Sequence, residues 1–154
     1  MSIEKLSRDD WIVGGVGLLL VIDLLFLPWY SISVGPFTAT SAATGAPDGW
    51  LGVLAVLAVL AVIADLAIER LSPQTTLPVI AGSRTMTRFV LTCIAAGLVV
   101  LKFLFHIHFS LFGFGFWAAV VLTAAFVYLA MRARHATVTP GPAPSNSADR
   151  STAE

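Results

Sequence analysis

Residues 50–67 read WLGVLAVLAVLAVIADLA, an apolar run in which Asp65 is the single charged side chain. Three further stretches are similarly apolar, at residues 11–27, at residues 89–104 with an aromatic continuation, and at residues 111–131. A helix of about 17–21 residues crosses roughly 30 Å of hydrocarbon at about 1.5 Å per residue. The four stretches therefore predict four transmembrane helices.

The composition of the chain points to the same class of protein. Of its 154 residues, 57% are hydrophobic and 12% are charged, whereas soluble domains contain about 25% charged residues. We expect an all-α, integral membrane four-helix antiparallel bundle over residues 1–131, with helices at about 8–29, 50–69, 84–107 and 111–131. Residues 132–154 are rich in Ala, Pro, Ser and Thr and predict a disordered tail.

The placement of basic residues predicts the orientation in the membrane. Lys and Arg occur in the N-terminal segment, in the middle loop and after residue 131, and are absent from residues 31–49 and 106–111. Because cytoplasmic loops carry the excess of Lys and Arg, both termini and the middle loop are expected in the cytoplasm. The expected location is the cell (plasma) membrane.

Two charged residues fall inside the apolar stretches. Asp23 lies about 18 Å along a helix from Trp11, and Lys102 lies about 21 Å from Arg88, so both reach a similar depth. Because isolated charges are costly inside a membrane, we predict that Asp23 and Lys102 form an ion pair. Two alternatives are that Lys102 reaches the outer interface while Asp23 is protonated or solvated, and that the two residues serve transport or proton relay.

Asp65 and His106 are candidate polar neighbours of this pair. Asp65 lies near the cytoplasmic end of the second helix, where it is expected to pair with Arg84, Arg88 or Lys5, or to admit protons. His106 follows Lys102 by one helical turn and shares its face, so a response to pH is conceivable there.

Signatures of catalysis or cofactor binding are missing from the sequence. His106 and His108 would point to opposite sides of a helix, which does not suit a metal or haem site. Phosphate-binding, nucleophile-elbow and metalloprotease motifs are absent, and Cys93 is the sole cysteine. The zero formal net charge gives no electrostatic support for nucleic-acid binding. We therefore expect no enzyme activity, no metal, no cofactor and no nucleic-acid partner.

Several short motifs occur in a recognisable order: FLPWYS at 26–31, DGWLGVLAVLAVLAV at 48–62, TLPV at 76–79, Lys102, and FGFGFW at 112–117. Over residues 11–132 this order resembles small four-pass membrane proteins of actinobacterial type. The resemblance implies a four-pass topology and no particular activity.

The sequence favours a non-enzymatic membrane component that takes part in assembly or partner binding. Its expected partners are the lipid bilayer and either another membrane protein or further copies of the chain. The alternative is a small transporter or proton-coupled channel that uses Asp23 and Lys102.

Overall fold

The secondary structure is mainly helical. The computed structural model describes residues 8–45, 48–71, 82–105 and 112–138. Helix accounts for 79% of these residues, in α1 (Arg8–Phe26), α2 (Gly49–Leu71), α3 (Arg84–Phe105) and α4 (Phe114–Val138). An antiparallel hairpin of β1 (Tyr30–Val34) and β2 (Phe37–Ser41) lies between α1 and α2.

Three of the described helices are long and apolar enough to cross a membrane. Each contains a 22-residue segment of suitable hydropathy, in α2, α3 and α4. Helix α1 has 19 residues and is not one of these three helices, because it includes Asp9, Asp10 and Asp23. The structure is thus mainly helical, with three helices that are long and apolar enough to cross a membrane.

Neighbouring helices run in opposite directions. Helices α1 and α3 each contact both α2 and α4. The Arg70 side chain, at the end of α2, binds Asp10 at the start of α1, and Arg88 near the start of α3 binds Asp65 and Glu69 of α2. We call this end the ion-pair end, and we call the opposite one, where the hairpin lies, the hairpin end.

The helices enclose a tightly packed apolar core. Leu20 and Leu24 of α1, Val59 of α2 and Phe126 of α4 are almost completely buried. Alanines at the contacts allow close approach of the helices, which is typical of helix packing in lipid: these are Ala55, Ala58, Ala95 and Ala119. The surface is apolar as well, because Leu19, Leu57, Val100 and Val121 are all more than half exposed. An apolar outer surface fits a lipid environment.

A tight turn determines the register of the hairpin. Gly35 has φ of 59°, a value that glycine adopts at no steric cost. Pro36 follows, and its ring fixes φ near −65°. This combination matches a type II′ turn, whose twist suits a two-residue hairpin loop. Val34 therefore pairs with Phe37, and Tyr30 pairs with Ser41 at the base.

Helices α1 and α4 differ most from their predicted boundaries. Helix α1 ends at Phe26 rather than near 29, because Pro28 lacks the N–H that another helical turn requires. Helix α4 begins at Phe114 and continues to Val138. The prediction of disorder from residue 132 is therefore wrong for residues 132–138. Arg and Ala are strong helix formers, and residues 132–138 contain neither Pro nor Gly.

Candidate functional site

Asp23 lies at the hairpin end, where its side chain is 2% exposed. The Trp29 indole Nε1 donates a hydrogen bond of 3.2 Å to Asp23 Oδ2. Pro28 ends α1 and turns the chain back, so that Trp29 covers the end of the helix from which it emerged. The Trp29 side chain is itself only 1% exposed. The acidic group is thus held by the segment that immediately follows its own helix.

Lys102, on α3, is 1% exposed. Its Nζ donates a hydrogen bond of 3.0 Å to the backbone carbonyl of Asp48, directly before α2. The same nitrogen lies 5.8 Å from the centre of the Tyr30 ring, within the range of a cation–π contact. The negative charge of Asp48 also acts on the ammonium group. Lys102 therefore holds the chain at the start of α2.

The predicted ion pair between Asp23 and Lys102 is not formed. No salt bridge joins these two residues, although both belong to the described part of the chain. Asp23 binds Trp29, whereas Lys102 binds Asp48. The Lys102 ammonium group is not exposed at the surface of the described residues. His106, the predicted neighbour of Lys102, lies outside the described residues.

Aromatic rings surround the two charged groups. Trp29 meets Phe116 edge-on at a centroid distance of 5.7 Å, and Phe116 stacks on Phe112 at 4.1 Å. Phe103, one residue after Lys102, stacks on Phe116 at 5.4 Å. Because a ring edge is electropositive and a ring face electronegative, edge-on contacts of this type are favourable beyond the area they bury.

Backbone hydrogen bonds attach the hairpin to α4. The Gly113 amide donates to the Trp29 carbonyl at 2.8 Å, and the Gly115 amide donates to the Pro28 carbonyl at 3.0 Å. The second bond satisfies one of the free N–H groups in the first turn of α4. A side chain at Gly113 would collide with the Pro28 carbonyl, so glycine is required for this approach. We call residues 27–45 together with Asp48 the cap.

Burial also affects the tyrosine of the cap. Tyr30 is 8% exposed, and its ring lies 5.9 Å from that of Phe112. Desolvation raises the pKa of the Tyr30 phenol above its usual range, and the negative charge of Asp48 raises it further. Tyr30 is therefore a neutral group at physiological pH, which suits its position beside the buried ammonium group.

Charged groups at the ion-pair end are joined directly. The Arg88 guanidinium donates through Nε to Asp65 and through Nη2 to Glu69. Arg70 Nη2 lies 2.8 Å from Asp10 Oδ2. The pairing of Asp65 with Arg88 confirms one of the three partners predicted for Asp65. Arg88 is used inside the protein, since its side chain is only 18% exposed.

A cavity of about 410 Å³ opens between the four helices at the ion-pair end. Its rim carries charged side chains. The lining residues farthest from the rim are Val62 on α2, Thr92 on α3 and Phe126 on α4. The charged side chains on its wall balance in sign: Asp9, Asp10, Glu69, Arg70, Arg88 and Arg132. No cluster of three or more potential metal-binding side chains occurs in residues 8–45, 48–71, 82–105 and 112–138.

Sequence reasoning found the buried charges and missed their partners. No direct signal in the sequence marks the Trp29 indole or the Asp48 carbonyl as the partner of a buried charge. Pro28 was an available indication, because a proline directly before Trp29 turns the chain at the level of Asp23.

Comparisons with known proteins found no similar protein. No protein-family model, no curated protein and no solved structure matches this chain.

Proposed function

We propose that the chain crosses the membrane four times, as an antiparallel four-helix bundle with both termini in the cytoplasm. Two features of α1 support its inclusion as a span. Asp9 and Asp10 lie in its first turn, at the level of the other charges of the ion-pair end. Asp23 is buried against the other helices, so it does not face lipid. The remaining residues of α1 are apolar enough for a lipid environment.

Exposed aromatic residues support the same proposal. Each helix presents one at its hairpin end, and together we call them the aromatic collar: Phe26, Trp50, Phe105 and Phe114. Trp11 and Tyr128 are exposed at the other end, about 21 Å farther along the helices. Aromatic side chains are enriched at both membrane–water interfaces. Helix α1 carries an exposed aromatic residue at both levels, as α4 does, which supports its inclusion as a fourth span.

Single-cysteine labelling tests this topology. In a Cys93→Ser background, Arg8→Cys, Ser33→Cys and Ser83→Cys would be treated in intact cells with a maleimide that cannot cross membranes. We expect Ser33→Cys to react in intact cells, and Arg8→Cys and Ser83→Cys to react only after permeabilisation. Reaction of Arg8→Cys and Ser33→Cys from the same side would contradict a span by α1.

We further propose that the protein is a non-enzymatic membrane component that presents the cap, on the outer side, to a membrane-protein partner or to further copies of the chain. The observation that carries this proposal is that both buried charges bind the cap, through Trp29 and Asp48. We interpret charges held in this way as groups that stabilise the cap rather than as reacting groups. The cap's exposed strands and hydroxyl side chains are then its recognition elements.

Affinity purification from mild detergent tests partner binding. The tagged wild type would be compared with Thr38→Arg, which places a charge on the exposed hairpin, and with Arg132→Ala at the opposite end as the matched control. We expect a stoichiometric partner or homo-oligomer that is lost in Thr38→Arg and kept in Arg132→Ala. A monomer without partners in all three samples would contradict the proposal.

A transporter or proton-coupled channel is the second candidate, favoured by the cavity at the ion-pair end. Asp23 Oδ1 is also buried without a hydrogen-bond partner in the described part of the chain. The cavity reaches Thr92 on α3, however, which is about 15 Å along the helix from Lys102. Leu20, Val59 and Phe126 are tightly packed in the core. Transport would therefore require the core to open.

Proton flux in liposomes distinguishes the two candidates. A pH-sensitive dye would be enclosed with wild type, Asp23→Asn or Asp9→Asn, the last changing a carboxylate at the cavity rim. A flux that is abolished by Asp23→Asn and retained by Asp9→Asn would favour the channel. Flux equal to that of empty liposomes in all samples favours the structural role.

A further inference from the structure

The two faces of the hairpin differ in chemistry. Ser33 pairs with Thr38 and Ser31 pairs with Thr40, and the hydroxyls of Ser33 and Thr38 lie 3.3 Å apart. Because side chains alternate along a strand, Ile32, Phe37 and Ala39 belong to the other face. The hairpin therefore has a hydroxyl face and an apolar face.

The apolar face is open. Phe37 is 78% exposed, Ile32 is 48% exposed, and Ala39 is exposed as well. Burial of such side chains away from water is favourable. A hairpin of two short strands has no second layer of its own to cover them. Something outside the described chain is needed to remove this surface from water.

The apolar face begins close to the aromatic collar along the chain. The base of the hairpin pairs with α4 through a bridge between Tyr30 and Phe112, two residues before the collar residue Phe114. On the other side, Phe26 of the collar precedes Tyr30 by four residues. The apolar face of the hairpin therefore begins near the level at which the proposed topology places the outer membrane surface.

The lack of charged residues around the hairpin also indicates what its apolar face contacts. Residues 24–47 contain no Asp, Glu, Lys, Arg or His. A protein partner selected by charge complementarity has nothing to bind here, whereas a neutral lipid interface accepts aromatic and aliphatic side chains with hydroxyls directed to water.

We propose that the hairpin is an interfacial anchor, with Ile32, Phe37 and Ala39 seated on the outer surface of the bilayer and the hydroxyls of Ser31, Ser33, Thr38 and Thr40 facing water. This inference rests on the proposed membrane-spanning topology. It also explains how the cap is oriented, because the hydroxyl face is then the one left available to a protein partner.

Depth-dependent fluorescence quenching tests the anchor. In a Cys93→Ser background, an environment-sensitive dye would be attached to Ala39→Cys on the apolar face or to Thr40→Cys on the hydroxyl face. A third sample would carry the dye on the native Cys93, which is exposed on α3. All three would be reconstituted in phosphatidylcholine vesicles that contain a lipid with a spin label near its headgroup, or one with a deeper label.

We expect a blue-shifted emission and quenching by the shallow spin label at position 39, and accessibility to aqueous iodide at position 40. Adding Phe37→Ser should remove the lipid quenching at position 39. The Cys93 dye should be quenched by the deeper label in every case, because α3 spans the membrane.

The other outcomes separate failure of the anchor from failure of the spanning topology. Iodide access at both 39 and 40, with Cys93 in lipid, would show that the hairpin projects into water and would overturn the anchor alone. Protection from iodide at 39 without quenching by lipid would mean that protein covers the face, which also overturns it. A Cys93 dye that no lipid label quenches would overturn the proposed spanning topology.

Discussion

The hairpin end and the ion-pair end stabilise buried charge in opposite ways. At the ion-pair end, Arg88 is shared between Asp65 and Glu69 and lies beside a cavity of about 410 Å³. At the hairpin end, Asp23 and Lys102 are each almost fully buried and each binds an uncharged group, the Trp29 indole or the Asp48 carbonyl. Aromatic rings fill the space around them.

For Asp23, the difference shows that a buried carboxyl group in a helical protein can be held by a hydrogen bond from an uncharged donor. The Trp29 indole is available to Asp23 Oδ2 because Pro28 ends α1 and the chain turns back there. At the ion-pair end, charges from several helices converge at the rim, so direct pairing is available there.

The largest effect is expected from Trp29→Ala. This change removes a buried aromatic side chain and the donor to Asp23, and should lower the free energy of unfolding by about 3–5 kcal/mol. Trp29→Phe keeps a ring and removes only the donor, for a loss of about 1–3 kcal/mol. Unfolding by SDS in mixed micelles measures both. Equal, small losses would mean that the cap does not stabilise the helices.

A smaller effect is expected from Arg88→Met at the ion-pair end. The substitution leaves Asp65 and Glu69 without their shared donor, and we expect a loss of about 1.5–3 kcal/mol in the same assay. Arg70→Met is the matched control, since the Arg70 side chain is 36% exposed and its single ion pair is worth about 0–1 kcal/mol. A larger loss for Arg70→Met than for Arg88→Met would contradict the view that Arg88 is the main stabilising cation of the ion-pair end.

The smallest expected effect is the change in these stability losses with salt concentration. Raising the salt concentration to about 1 M shortens the screening length to about 3 Å, so the destabilisation caused by Arg70→Met should shrink. The loss caused by Trp29→Phe should stay constant, because its hydrogen bond is buried. Stability curves for both variants at low and high salt make this comparison. A salt-sensitive Trp29→Phe effect would indicate that water reaches the hairpin end.

The sequence predicted the helices well because their signal is local. Apolar runs such as residues 50–67 need no knowledge of tertiary contacts, and three of the four predicted spans coincide with helices that are long and apolar enough to cross a membrane. The pairing of Asp65 with Arg88 was also accessible, because both lie at helix ends that an antiparallel arrangement brings together.

The hairpin was missed although its pattern is present. Residues 30–34 and 37–41 alternate apolar and polar side chains on either side of Gly35 and Pro36, which is a hairpin signal. The four-helix prediction leaves these residues as a connection between two spans, without strands. The prediction of the Asp23–Lys102 pair failed for another reason: equal depth does not determine which groups each side chain meets, and the cap supplies nearer partners.

The central claim is that Asp23 and Lys102 act separately, each on the cap, and a double-mutant cycle tests it most directly. The unfolding free energies of Asp23→Asn, Lys102→Met and the double variant would be compared, with the Asp23→Asn and Trp29→Phe cycle as the positive control. We predict a coupling below about 0.5 kcal/mol between Asp23 and Lys102, and a larger coupling between Asp23 and Trp29. A coupling above about 1 kcal/mol between Asp23 and Lys102, with none between Asp23 and Trp29, would contradict the account.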